Sequence, residues 1–210
     1  GSIFGGQHPR IVDIMGYEPE PDDGDGHYDI YIRDDLPSGW YGVTRYEGNG
    51  RSYVEIDNDF AEPVFDTHGL DAMQVTVAHE FFHAIQFGYS DRTSGNVYFY
   101  EMSSTWIEDV MVPDVNDYLN MAHGSSSGHY FSHPHMPIDD TNGYSIALYG
   151  HYLSRMIDDD GYADERESTI IRRIWEDFGA SNQEAFRSIE DILEEQYGEC
   201  SDGISESREL

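Results

Sequence analysis

Residues 76–85 read Thr76-Val77-Ala78-His79-Glu80-Phe81-Phe82-His83-Ala84-Ile85. With Val75, the positions Val77, Ala78, Phe81, Phe82, Ala84 and Ile85 leave almost no polar face on a helix, so the segment predicts a helix buried in the body of the protein. His79 and His83 are four residues apart and project from one side of that helix, about one turn from each other. Two imidazoles so placed can bind one tetrahedral Zn²⁺ at about 2.0–2.1 Å. Glu80, beside the first, can reach a water on such a metal and act on it as general base, then as proton shuttle. The bare H-E-x-x-H spacing also arises by chance on exposed helices. The apolar frame argues against that origin. Two histidines and a carboxylate left unpaired in a buried helix cost on the order of several kcal/mol, which a metal and its water remove.

A third ligand has to come from further along. The metzincin pattern would place Gly at 86 and His at 89, but the chain has Gln86 and Tyr89. Residues 98–109 read Tyr-Phe-Tyr-Glu-Met-Ser-Ser-Thr-Trp-Ile-Glu-Asp. Glu101 follows His83 by eighteen residues, room for a short loop and a returning antiparallel helix, and the small residues after it allow close approach. Glu108 is two turns further along the same face. The natural division puts Glu101 on zinc and lets Glu108 accept the free ring N–H of a zinc histidine. The alternative for Glu108 is a solvated helix position. Asp109 faces elsewhere and suits the site less well.

The surroundings predict an α+β fold, with a small N-terminal antiparallel or mixed sheet followed by a mainly helical body. Tyr28–Ile32, Trp40–Thr44 and Tyr53–Ile56 alternate as half-buried strands, and Gly48-Asn49-Gly50 marks a hairpin turn. Helices are expected near 71–88, 97–111, 114–122, 143–159, 166–178 and 182–197, the last with Ser181 and Glu184 as a capping box. The chain reads as one catalytic domain over 1–210: a sheet lobe (1–68), a helical lobe (69–200) and a tail (201–210). A loop rich in Gly, Ser, His and Pro spans about 123–142, a length that is usually functional or mobile.

The composition narrows the partners. The 210 residues carry a formal net charge of −31, and all eleven basic residues are arginine. So acidic a surface repels phosphate backbones, which argues against nucleic acid. No run approaches the length of a membrane span. Adaptation to high salt and an ordinary acidic secreted protein that binds calcium both fit; the absence of lysine along the whole chain favours the first. The single cysteine, Cys200, permits neither an internal disulfide nor a cysteine zinc site. No secretory signal is visible, and Gly1-Ser2 reads as a cloning remnant, so a leader or pro-segment stays open. Oligomeric state is not legible.

The segments H-E-F-F-H-A-I-Q-F (79–87) and E-M-S-S-T-W-I-E (101–108) resemble those of a family of prokaryotic secreted metalloproteases with HEFFHA…EGTATWxE motifs. The likeness extends over roughly 28–197 and includes V-E-I-D-N-D-F (54–60); more distantly the layout is similar to the thermolysin and aminopeptidase gluzincins. It implies a zincin-like fold, a secreted zinc peptidase, and Glu108 as partner of a ligand. Met102 stands where the family usually has glycine, which is expected to alter packing beside the metal. The resemblance further implies an oxyanion-stabilising tyrosine in the Gly143–Tyr149 segment, with Tyr144 in the corresponding place and Tyr149 and His151 as rivals. The expected activity is hydrolysis of a protein or peptide. A zinc hydrolase of another amide or ester, or a non-catalytic zinc-containing binding module, are the alternatives.

Other features are weaker. His123, His129, His133 and His135 crowd one loop and suggest a second metal site or, more simply, a polar surface. Asp22-Asp23-Gly24-Asp25-Gly26 resembles part of a calcium loop but lacks the glutamate at the twelfth position. Asp57 and Asp59 can touch calcium or a substrate amine. Asp158-Asp159-Asp160 ends an expected helix, where negative charge is unfavourable.

Overall fold

Three strands, β1 (Ile30–Arg33), β2 (Gly42–Gly48) and β3 (Arg51–Asp57), form a mixed sheet in a computed structural model that describes residues 9–22, 24–123 and 130–197. Asn49 and Gly50 join β2 to β3 with φ of 57° and 78°, the left-handed pair that the Asn-Gly hairpin turn needs. β3 runs antiparallel to β2 and parallel to β1, with Ile30 opposite Val54. The order is β1-β3-β2, so among the described residues β2 has one edge without a partner strand. Val54 and Ile56 of β3 pack on Ala72 and Val77 together with Phe60.

Those two residues belong to α1 (Gly69–Tyr89), which is buried without interruption from Val75 to Gln86. α2 (Val97–Met111) lies beside it. Gln86 meets Tyr100, Ser103 and Ser104, whereas His79 meets Glu108, so the helices run antiparallel. The fully buried Ser103, Ser104 and Thr105 keep the contact close. The other side of the pair is closed by α5 (Ile170–Ala180) and α6 (Ala185–Tyr197). Phe82, Ile85, Phe99, Trp106, Trp175 and Phe178 form the centre of one apolar core, with Phe99 stacked on Trp175 at 4.5 Å. The α+β class expected from the sequence is the class observed. No helix of the described residues is long and apolar enough to cross a membrane.

The element boundaries differ for local reasons. The helix expected over 114–122 is reduced to α3 (Tyr118–His123), because Asn116 takes a left-handed φ of 55°. The helix expected over 143–159 is broken into a tight turn (Tyr144–Ile146), α4 (Ala147–Tyr152) and a wide π-helical turn (Leu153–Ile157). Ser154 Oγ lies 3.0 Å from the Gly150 carbonyl within the widened part, a side-chain contact to the preceding turn of the kind that bends helices. α5 begins at Ile170 rather than 166, where the buried Asp158 carboxylate accepts the N–H groups of Thr169 (2.8 Å) and Ile170 (3.1 Å). Asp158 is thus a negative charge at a helix start, where the dipole favours it. The Ser181–Glu184 capping box does not form. The Ser181 hydroxyl has no partner among the described residues, and the N–H of Ala185 goes instead to Asn96 Oδ1 at 2.8 Å. Cys200 and the 201–210 tail lie outside the described residues.

Candidate metal centre

α1 and α2 bring three donor atoms to one point. His79 Nε2 and His83 Nε2 are 3.1 Å apart, and Glu101 Oε2 is 3.1 Å from the first and 3.4 Å from the second. The far side of each imidazole is held. His79 Nδ1 donates to Glu108 Oε1 at 2.6 Å, and His83 Nδ1 to Gln86 Oε1 at 2.6 Å. Gln86 has no freedom to flip, because its amide nitrogen donates to the Tyr100 carbonyl (3.0 Å), an acceptor only, and has the Ser103 and Ser104 hydroxyls as neighbours for its second proton. Both Nδ1 atoms therefore carry the ring proton, and both Nε2 lone pairs face one another and a carboxylate.

Three lone pairs converging at about 3 Å repel unless a positive charge sits among them. Without a metal, that charge is a proton. Burial works against charge on His79, but hydrogen bonds to Glu101 and Glu108 outweigh it and raise the imidazole well above its ordinary range. Burial likewise opposes ionisation of Glu101, yet the two imidazoles hold its carboxyl below the usual range. Burial pushes Glu108 up to about 7 despite the His79 hydrogen bond. We place the shared proton of that pair on Nδ1, because Glu101 adds a second carboxylate to the imidazole. Two neutral imidazoles and a carboxylate, each held on its far side or by its helix, are the donor set that suits a tetrahedral Zn²⁺ with a fourth position open.

Glu80 lies beside the ligands and is tied to the sheet. The Thr44 hydroxyl on β2 is 2.7 Å from Glu80 Oε2 and 2.8 Å from the Glu80 carbonyl. This closeness requires Gly42: a methyl there would meet Thr76 Cγ2 at 2.8 Å and Glu80 Cγ at 3.1 Å. Tyr144 stands on the opposite wall with its ring parallel to that of His79, 5.6 Å between centroids. Burial, then the charge of Glu101 and a hydrogen bond to it, push its hydroxyl far above the ordinary tyrosine range, so it is a neutral donor. Gly143 makes the approach possible. Its φ is 90°, and a methyl there would fall 2.5 Å from the Tyr98 carbonyl and 2.6 Å from Glu101 Cβ.

These groups line a cavity of about 550 Å³ between β2 and the helices. Trp40, Tyr41 and Val43 line it from the sheet side, and Phe87, Val97 and Tyr100 from the helical side. Glu80, Glu101, Glu108 and Asp117 are its acidic residues, and no arginine lines it among the described residues.

The structure thus brings together His79, His83, Glu101, Glu80, Glu108 and Tyr144, the six residues singled out in the sequence. It separates the rivals of Tyr144. Tyr149 stacks on Tyr152, and His151 turns to Glu165, so neither reaches the cavity. Met102 is buried with its sulfur toward Gly150 and does not line the cavity, so it fills the contact with α4 rather than space beside the ligands. Asp22, Asp25 and Asp57 accept backbone N–H groups of their own turns, and the described carboxylates there form no ligand group. His133 and His135 are 6.3 Å apart between ring centroids and join no ligand group among the described residues; His129 lies outside them. Gln86, Thr44, Gly42 and Gly143 escape the sequence reading. For Gln86 a signal existed, its spacing of three from His83 on the same helix. For Thr44 there was none, since its contact spans sheet and helix.

No protein-family model, no curated protein and no solved structure matches the chain. The likeness to secreted metalloproteases and gluzincins rests on the motifs alone.

Proposed function

We propose that this protein is a zinc-dependent peptidase of the gluzincin type. The observation that carries the proposal is the convergence of His79 Nε2, His83 Nε2 and Glu101 Oε2 within 3.4 Å, with Glu80 and Tyr144 on the same cavity. Zinc held by those three atoms would supply Lewis acidity and bring the pKa of a water down toward about 7. Glu80, oriented by Thr44, takes the proton of the attacking water and passes it to the leaving amine. Tyr144 donates its O–H to the substrate carbonyl oxygen as charge grows there. The unpaired edge of β2 borders the same cavity and offers the substrate backbone a strand to pair with. The apolar walls and the lack of an arginine or lysine among the described lining favour an apolar side chain and disfavour an acidic one. The acidic surface fits high salt and gives nucleic acid no purchase. Secretion remains an implication of the resemblance.

A zinc hydrolase of another amide or ester would use the same groups; the β2 edge, suited to an extended peptide, favours the peptidase. The test is cleavage of casein by the full chain after dialysis against a chelator and again after zinc is restored. The proposal expects loss and recovery. Cleavage indifferent to chelation, or no cleavage of casein beside hydrolysis of a simple ester, would overturn it.

A further inference from the structure

Outside the cavity lining, the residue after Glu108 takes part in a second cluster. Asp109, His151 and Glu165 hold donor atoms within 4.8 Å of one another. His151 Nδ1 donates to Glu165 Oε2 at 2.8 Å. Glu165 is fully engaged: it also accepts from Trp106 Nε1 (3.0 Å) and Ser154 Oγ (2.5 Å), and Arg155 Nε lies 2.5 Å from its other oxygen. Surrounded by donors, Glu165 acts as acceptor and so fixes the ring proton of His151 on Nδ1, leaving the Nε2 lone pair bare.

That lone pair points at another carboxylate. His151 Nε2 is 3.7 Å from Asp109 Oδ2, and among the described residues neither His151 Nε2 nor Asp109 Oδ1 has a hydrogen-bond partner, though both atoms are buried. At 3.7 Å the two do not hydrogen-bond. The distance is close to the ~3.4 Å between two ligand atoms that each sit about 2.1 Å from a tetrahedral ion. Two carboxylates against the single Arg155 guanidinium leave one negative charge uncompensated. Buried, unpaired groups of this kind call for a partner.

We propose that His151 Nε2 and the Asp109 carboxylate bind a second divalent cation, with Glu165 orienting the imidazole. One nitrogen and carboxylate oxygen select a borderline transition metal such as zinc over calcium or magnesium. The arrangement repeats that of Glu108 behind His79, a carboxylate holding the rear of a ligating ring. The ion would clamp α2 to the end of α4, one residue from the group that orients His79.

The test is equilibrium dialysis of the full chain with Zn²⁺ in buffer salty enough to screen the acidic surface. Asp109→Asn and His151→Gln should each bind one equivalent fewer than wild type. His83→Ala should also lose one, yet keep the equivalent that Asp109→Asn loses, so failure of the first site and failure of this one give different patterns. Should a variant not fold, ¹⁵N spectra of wild-type His151 decide: zinc should shift Nε2 while Nδ1 stays protonated. Equal stoichiometry in wild type and Asp109→Asn, or a His151 ring that stays doubly protonated in excess zinc, would overturn the proposal in favour of a simple ion pair.

Discussion

Gln86 Oε1 sits 2.6 Å from His83 Nδ1, and because the Gln86 amide nitrogen is bound to the Tyr100 carbonyl, one glutamine decides which nitrogen of His83 is free for a metal. Gln86→Leu removes that acceptor while keeping the volume roughly constant. Zinc affinity should fall about 10–100-fold, the usual loss for a group behind a ligand. A competition titration against a coloured chelator measures it, and unchanged affinity would mean that His83 does not need the glutamine.

Glu101 and Glu108 both touch His79, at 3.1 and 2.6 Å, yet they are assigned different work. Glu101→Ala should weaken zinc binding by more than the ~10–100-fold expected of Glu108→Gln. Unchanged affinity in Glu101→Ala would exclude it as a ligand and promote Glu108.

Metal uptake should release protons. In the metal-free chain His79 is raised well above its ordinary pKa by Glu101 and Glu108, against the effect of burial. Below that raised value Nε2 carries a proton that zinc must expel, so apparent affinity climbs with pH and levels off above it. Calorimetry in two buffers of different ionisation heat should show the release. The same shift fixes the sign for stability: the contribution of this group to the metal-free fold is full below the unfolded histidine pKa of about 6.5 and is lost as pH rises through the raised value.

Gly143→Ala places a methyl 2.5 Å from the Tyr98 carbonyl at a φ of 90°. It should destabilise the protein by more than about 1 kcal/mol, seen as a lower urea midpoint at constant slope. Because the displaced turn carries Tyr144, turnover should drop further than stability alone explains. An unchanged midpoint would show that the turn can shift at no cost.

The features legible in advance were those written within single segments. The H-E-x-x-H helix, the small residues after Glu101 and the Asn49-Gly50 turn each carry their reason in adjacent letters. The boundaries that failed depend on distant partners. Ile170 begins a helix because Asp158 reaches it across eleven residues of chain, and Ala185 does so because Asn96 supplies an acceptor from the residue that precedes α2. Periodicity is blind to such caps. The same holds in the site: Thr44 holds Glu80 only because Gly42 lets a strand lie against α1.

The most direct measurement is the rate of casein cleavage by zinc-loaded wild type and Glu80→Gln, with bound zinc counted in both. Equal zinc is expected, with a rate at least ~10²-fold lower in the variant, the usual effect of removing a general base. Equal rates in the two proteins, or no zinc in either, would contradict the proposed function.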